Sequence, residues 1–267
     1  MAKYPMSARR RIAIASYKPP RDGIIYGAIT LDCSEVVRYL EEKSAQGEKI
    51  TITAFMGAIV GRALRAEPTL NGRIHLGRFI PYNNVSVAFL VQVNDGDNLA
   101  QVLVPDIDTL TPPQVSSVLS QKADLVREGK DENFEKSIAL TKRMPTPILR
   151  RILSFGGFVT TGMGKGFAGQ PAFPFGSAVI SSVGMLGVDE ALIPPTPFLR
   201  VPLYVGIGSI HDMVFAEDGQ PVVKPGITVT ATLDHRFVDG YQAATLSRVV
   251  RDAFANPWLL DSPSVRS

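Results

Sequence analysis

Two patterns of apolar residues run along the chain and predict its strands and helices. Apolar, β-branched runs predict strands at residues 24–31, 74–80, 85–93, 99–104, 178–183, 201–210 and 227–233. Apolar positions at helical spacing predict helices at 34–46, 54–66, 115–127 (with 140 as an alternative end) and 241–254. Because strands and helices intermix without a linker of interdomain length, we expect one α/β domain over residues 1–267, with helices packed on a mixed β-sheet.

One stretch, at about residues 142–176, departs from both patterns. It opens with a short basic and apolar piece and then becomes rich in Gly, Phe and Pro, ending at Phe173-Pro174-Phe175-Gly176. One interpretation is an irregular surface insertion whose aromatic side chains pack locally. The alternative is a lid or apolar groove beside an active site, or a surface for a membrane or an apolar partner, because exposed apolar patches commonly bind something.

Composition narrows the class of protein. The 28 basic and 25 acidic side chains leave a formal charge of +3, too balanced to predict a nucleic-acid partner. The single cysteine, Cys33, excludes an internal disulfide framework and is typical of a reducing cytoplasm. The N-terminus lacks the apolar core of a signal peptide, and no window reaches the ~18 apolar residues of a membrane span. We therefore expect a cytoplasmic protein.

The candidate chemistry centres on a histidine near the C-terminus. Three scattered histidines, His75, His211 and His235, carry no flanking ligand pattern, so we expect no metal site. His75 and His211 lie in segments that predict surface or structural roles. His235 differs because a core strand ends just before it and a helix begins just after it. An imidazole with an ordinary pKa of about 6.5 suits a general base at neutral pH.

The residues around His235 carry a family resemblance. His235-Arg236-Phe237-Val238-Asp239-Gly240 matches a His-x-x-x-Asp-Gly motif, and Asp234 gives it the Asp-His-Arg form found in dihydrolipoamide acyltransferases. Further segments resemble that family in the family's order: Pro5-Met6-Ser7 with the arginines that follow, Leu103 to Ile107, Ile180 to Val188, and Asn256-Pro257 with Leu259-Leu260. The chain thus resembles the catalytic domain of 2-oxoacid dehydrogenase acyltransferases, which implies the chloramphenicol acetyltransferase-like two-layer fold.

The resemblance also implies an acyl transfer with two principal side chains. His235 would take the proton from an attacking thiol or hydroxyl, so that it adds to the carbonyl of a thioester of coenzyme A or of a lipoyl or pantetheine carrier. Ser181 would hydrogen-bond the oxyanion, with Ser182 as the alternative and a structural strand serine as the competing interpretation. In the family the site lies between subunits of a homotrimer, so the two residues would come from different chains.

The other site residues implied by the resemblance are structural. Asp239 would pair with an N-terminal arginine; Arg10 is the leading candidate, while Arg9 and Arg11 remain open. Further support of the site is expected from Asp234, Arg236 and Gly240.

Departures from the family limit what the resemblance implies. The sequence contains no lipoyl domain, no peripheral-subunit-binding domain and no Ala/Pro-rich linker, so a lipoyl or acyl carrier protein would act in trans. The polar tail at 261–267 differs from the apolar C-terminus that joins trimers into cages, so we expect a free trimer. Two alternative functions remain: a non-catalytic trimeric scaffold or partner of a dehydrogenase complex, and a chloramphenicol-type O-acetyltransferase.

Overall fold

The computed structural model describes residues 23–93, 98–127 and 146–262. The expectations for the N-terminal segment, including Arg10, and for the first residues of the 142–176 stretch lie outside these ranges.

Strands and helices alternate along the described chain. The strands are β1 (Ile24–Asp32), β2 (Gly72–His75), β3 (Arg78–Pro81), β4 (Val87–Val93), β5 (Asn98–Val104), β6 (Ala178–Ser182), β7 (Leu203–Ile207), β8 (His211–Glu217) and β9 (Gln220–Asp234). The α-helices are α1 (Ser34–Ala45), α2 (Ile52–Ala66), α3 (Pro112–Arg127), α4 (Thr146–Gly157) and α5 (Gly240–Ala255). The predicted α/β architecture with a mixed sheet is confirmed.

The main sheet has the strand order β1-β9-β7-β6-β4-β5, and β8 also pairs with β9. The β4–β6 and β6–β7 pairs are parallel, and the other pairs are antiparallel. The long strand β9 pairs with β8 in its first half and with both β1 and β7 in its second half. The C-terminal end of β9, where His235 follows, is therefore held from both sides.

Helices cover one face of the sheet, and irregular segments cover the other. Helix α2 is the most buried of the helices on the first face, where Phe55 and Ile59 are fully buried. Burying side chains of this size contributes about 1.5–3 kcal/mol each. Thr51 caps this helix by accepting a hydrogen bond from the amide of Ala54 at 3.1 Å. On the opposite face Val179 and Tyr204 pack against Leu199 and its neighbours.

Two glycines let a connecting segment cross the sheet at close range. A Cβ on Gly208 would lie 1.9 Å from the carbonyl oxygen of Asp189, and one on Gly206 would lie 2.5 Å from that of Ala191. The hydroxyl of Thr230 donates to the same Ala191 oxygen at 2.6 Å. The small residues at 206 and 208 are thus required by a backbone that passes directly over them.

Two local predictions were wrong. The predicted strand at 74–80 is a hairpin of β2 and β3, because Leu76 and Gly77 adopt left-handed φ angles of 48° and 72° and reverse the chain. The segment His211–Glu217, for which no strand is predicted, is strand β8.

The 142–176 stretch is more regular than the sequence indicates. Helix α4 runs through Gly156 and Gly157 and continues into a π-helical turn at Phe158–Met163. Glycine disfavours helix, but a Cβ on Gly157 would lie 1.9 Å from the carbonyl oxygen of Phe198. Tertiary packing against residue 198 therefore overrides the local preference. In the described part of the chain, no helix has the length and apolar character needed to cross a membrane.

Candidate active site

His235 lies in the short loop between β9 and α5. Its backbone amide donates to the carbonyl oxygen of Gly23 at 2.6 Å, which ties the loop to the residue before β1. Its ring nitrogen Nδ1 lies 2.6 Å from the carbonyl oxygen of Val238. Because a carbonyl only accepts, Nδ1 carries the proton of the neutral ring and Nε2 carries the lone pair. The side chain is half-buried, and a base at Nε2 is the chemistry this tautomer offers.

Asp234 and Arg236 form a compact pair on either side of His235. The Arg236 Nε donates to the two carboxylate oxygens of Asp234 at 2.9 and 3.0 Å, and the Arg236 amide donates to Oδ1 at 3.0 Å. The side chains of Asp234 and Arg236 are only 15% and 13% exposed, and the carboxylate of Asp234 stabilises the turn through these hydrogen bonds. The two side chains brace the turn that carries His235, and their supporting role in the reaction stays a prediction.

Asp239 is the N-cap of α5. It is 7% exposed, its Oδ1 accepts from the amide of Tyr241 at 3.1 Å, and its own amide donates to Gln242 Oε1 at 3.0 Å. This capping box fixes where the helix starts, directly after the His235 loop. Gly240 follows it, and a Cβ there would meet none of the described residues within 4 Å. Packing among the described residues therefore does not require glycine at 240.

Ser181 lies on β6, two strands away from β9. It is half-buried, and within the described ranges its hydroxyl makes no hydrogen bond; the same holds for Ser182. Ser181 pairs with Gly206 of β7, which pairs with Thr230 of β9, five residues before His235. At strand spacings of about 4.8 Å and a rise of about 3.3 Å per residue, Ser181 and His235 of one chain lie roughly 15–20 Å apart. A single chain does not bring them together.

Arg200 is a residue beside the site that sequence reasoning missed. With Asp234 and Arg236 it lines a small pocket under the segment 194–202. Its φ of 57° is left-handed, which is uncommon for a residue with a Cβ. The residue as a whole is exposed, but partial burial of its guanidinium lowers its pKa. Repulsion from the nearby Arg236 is the second, smaller cause. The signal available in the sequence was an arginine between two prolines, which alone indicates no chemistry.

The remaining candidate side chains have structural surroundings. The ring of His75 packs on Phe158, with centroids 5.9 Å apart, and His211 lies 3.5 Å from a carboxylate oxygen of Asp189. Cys33 is fully buried, and burial raises the pKa of its thiol to about 12. Among the described residues, no three His, Cys, Asp or Glu side chains cluster as metal ligands would. The absence of a metal and the cytoplasmic location stay predictions.

The class of fold is a two-layer α/β domain with the chloramphenicol acetyltransferase-like architecture. Within that class, the family model described as 2-oxoacid dehydrogenases acyltransferase (catalytic domain) matches residues 25–137 and 173–261. The chain belongs to this family. The match leaves residues 138–172 uncovered, and this gap overlaps the stretch that we predict to be an insertion.

Known proteins agree with that assignment. The chain is 22% identical over 213 residues to the dihydrolipoyllysine-residue acetyltransferase component of the acetoin cleaving system of Bacillus subtilis, covering 79% of this chain and 43% of that protein. It therefore spans less than half the length of that relative.

Solved structures are similar in fold. A probable dihydrolipoamide acetyltransferase from Listeria monocytogenes superposes with a TM-score of 0.65 at 16% identity, covering 96% of this chain and 94% of that one. A chloramphenicol acetyltransferase superposes with a TM-score of 0.53 at 12% identity, covering 91% and 92%. The predicted fold is confirmed.

Proposed function

We propose that this chain transfers an acyl group between a coenzyme A thioester and a thiol or hydroxyl acceptor, with His235 as the general base. The observation that carries the proposal is the hydrogen bond from His235 Nδ1 to the Val238 carbonyl oxygen. It leaves the lone pair on Nε2, which is the nitrogen a base needs. The names of the relatives make dihydrolipoamide the first acceptor to test.

In the proposed reaction His235 Nε2 takes the proton of the acceptor thiol as its sulfur adds to the thioester carbonyl. The Ser181 hydroxyl donates a hydrogen bond to the oxyanion of the tetrahedral intermediate, a contribution of about 3 kcal/mol when such a donor is preorganised. The carbon–sulfur bond to coenzyme A then breaks. The protonated His235 returns its proton to the departing sulfur, so the products are the acylated acceptor and free coenzyme A.

The site that we propose lies between subunits of a homotrimer. What supports this is the separation of Ser181 and His235 within one chain, which the strand register makes roughly 15–20 Å. Ser181 of one subunit would therefore serve His235 of its neighbour. Asp239 caps α5 and, in this proposal, also pairs with Arg10. A lipoyl or acyl carrier domain would present the thiol that accepts the acyl group.

The test is mass spectrometry of reactions that contain the purified protein, dihydrolipoamide and a panel of acyl-coenzyme A thioesters. We expect an acylated dihydrolipoamide and one equivalent of free coenzyme A for at least one thioester. His235→Ala should abolish both products while the circular dichroism spectrum stays unchanged. Arg248→Ala, an exposed change on α5, is the matched control and should retain full activity.

A second set of reactions replaces dihydrolipoamide with chloramphenicol or with other thiols and alcohols. Transfer that is confined to chloramphenicol would favour the antibiotic-acetylating alternative. If the folded protein neither binds nor consumes any thioester, a scaffold role replaces catalysis. Full activity of His235→Ala would refute the proposed base.

A further inference from the structure

Helix α4 carries an apolar stripe that faces solvent. Ile148, Ile152 and Phe155 are 52%, 39% and 55% exposed, values that are high for side chains of this size. They stand at positions i, i+4 and i+7, so they share one helical face. The structure thus presents a contiguous apolar surface on a helix whose opposite side is packed at Gly157.

The sequence segment that contains this stripe carries charge of one sign. Residues 142–176 contain five basic and no acidic side chains, whereas the rest of the chain holds 23 basic and 25 acidic ones. Arg151 is exposed and lies beside the stripe, three residues after Ile148 and four before Phe155. An exposed arginine beside an apolar stripe complements an anionic apolar interface such as a lipid headgroup region.

The segment that carries the stripe is packed against the rest of the domain. The π-helical turn after α4 packs on the β2–β3 hairpin, where the rings of His75 and Phe158 are 5.9 Å apart. Phe155 itself meets Phe167 edge to face at 5.5 Å. At the tip of the same hairpin Leu76 is 83% exposed and is followed two residues later by the exposed Arg78.

We propose that α4 binds the surface of a bilayer that contains anionic phospholipids. The apolar stripe would enter the boundary between headgroups and acyl chains, and the basic side chains would contact lipid phosphates. At 12 residues the helix is about 18 Å long, shorter than the ~30 Å hydrocarbon core, so it lies in the membrane plane and does not span it.

A lipid surface fits these observations better than a protein groove or an acidic carrier domain. The exposed apolar side chains stand on one helix face and at a turn tip, and side chains that project in this way suit insertion into a deformable bilayer. The proposal goes beyond acyl transfer, since it assigns a location to the domain without altering its chemistry.

The experiment is co-sedimentation of the full chain with two kinds of vesicle: phosphatidylcholine alone, and phosphatidylcholine mixed with phosphatidylglycerol. We expect binding to the mixed vesicles, little binding to phosphatidylcholine alone, and release by high salt. Ile152→Glu and Phe155→Ser should each weaken binding about tenfold or more, and Arg151→Gln should weaken it by a smaller factor.

Matched controls are Leu259→Ser, since Leu259 is 58% exposed, and Arg248→Gln, an exposed charge change on α5. Both should bind vesicles as the unmodified chain does, and acyl transfer to a soluble acceptor should be unaffected in all five variants.

The proposal is wrong if the unmodified chain does not bind mixed vesicles, or if the α4 variants bind as well as the controls. It is equally wrong if Ile152→Glu changes the sedimentation coefficient without lipid, because the stripe would then be a contact between copies of the chain. Binding of an acidic lipoyl domain through this face, with no vesicle binding, would also overturn it.

Discussion

The ring nitrogen Nδ1 of His235 lies 2.6 Å from the carbonyl oxygen of Val238, three residues along the same loop. The contact fixes both the ring orientation and the tautomer. The buried cap residue Asp239 follows Val238 and starts helix α5, so the helix terminus and the imidazole are positioned by adjacent peptide units. The orientation of the proposed base therefore depends on where α5 begins.

Replacing His235 by asparagine separates positioning from base chemistry. The asparagine side chain can still donate a hydrogen bond toward residue 238, but it has no basic nitrogen. We expect acyl transfer to fall by about 10²–10⁴-fold, the usual contribution of a general base, with little change in melting temperature. Steady-state kinetics and thermal unfolding check this. Activity within about twofold of the unmodified chain would contradict the role assigned to Nε2.

The cap predicts different effects of two changes at Asp239. Asparagine caps a helix about as well as aspartate, whereas Asp239→Ala removes the acceptor for the Tyr241 amide and should cost about 1 kcal/mol more than Asp239→Asn in urea unfolding. If Arg10 pairs with Asp239, the effect of Asp239→Asn should shrink by about 1 kcal/mol or more in an Arg10→Gln background. Arg9→Gln and Arg11→Gln backgrounds are the controls. If the effect of Asp239→Asn shrinks in one of those two backgrounds, and not in the Arg10→Gln background, that other arginine is the partner of Asp239.

The close approach at Gly208 predicts a steric effect on stability. A methyl group there would lie 1.9 Å from the Asp189 carbonyl oxygen, so Gly208→Ala should destabilise the protein by about 1–3 kcal/mol or more. Gly27→Ala in β1 is the matched control, because its Cβ would meet no atom of residues 23–93, 98–127 or 146–262 within 4 Å. It should be neutral or slightly stabilising in thermal unfolding. Equal effects of the two substitutions would mean that residues 189–191, whose backbone passes over Gly206 and Gly208, can move away from the added methyl group.

Burial at Cys33 predicts an unreactive thiol. Because burial raises the thiol pKa to about 12, only about one molecule in 10⁴ carries the thiolate at pH 8. We expect no alkylation by iodoacetamide in the folded state and rapid alkylation in urea, measured by intact mass. The rate should increase as pH rises toward that pKa. Alkylation of the folded protein at the rate of a free thiol would show that the site opens.

Local sequence predicted the half of the candidate site that is local in the chain. An apolar run that stops at Asp234 and a helical pattern that begins after Asp239 place His235 in a strand–loop–helix junction. Strand β9 ends and α5 begins within one residue of the predicted positions, although β9 begins at Gln220, seven residues before the predicted start. The other half depends on sheet order. That β7 lies between β6 and β9, and so separates Ser181 from His235, is a tertiary fact that neither strand's residues encode.

The missed features share the same cause. The left-handed φ of Arg200 and the helix through Gly157 are imposed by contacts with distant segments, such as that between Gly157 and Phe198. Propensity at these positions favours other conformations, so tertiary packing decided them.

The separation of Ser181 and His235 predicts complementation between two inactive variants. Ser181→Ala alone should lower the turnover number by about 10²–10³-fold, and His235→Asn should lower it by about 10²–10⁴-fold. When the two are unfolded together and refolded as mixed oligomers, a neighbouring pair can combine an intact His235 from one variant with an intact Ser181 from the other. Random assembly places such a combination at about a quarter of the interfaces, so activity should return to about a quarter of the unmodified level. Ser182→Ala is the control for the choice of serine and should lose little activity. If the site were built within one chain, every site in the mixture would lack one of the two residues and no activity would return. That result would refute the subunit-interface arrangement and would leave the general-base role of His235 intact.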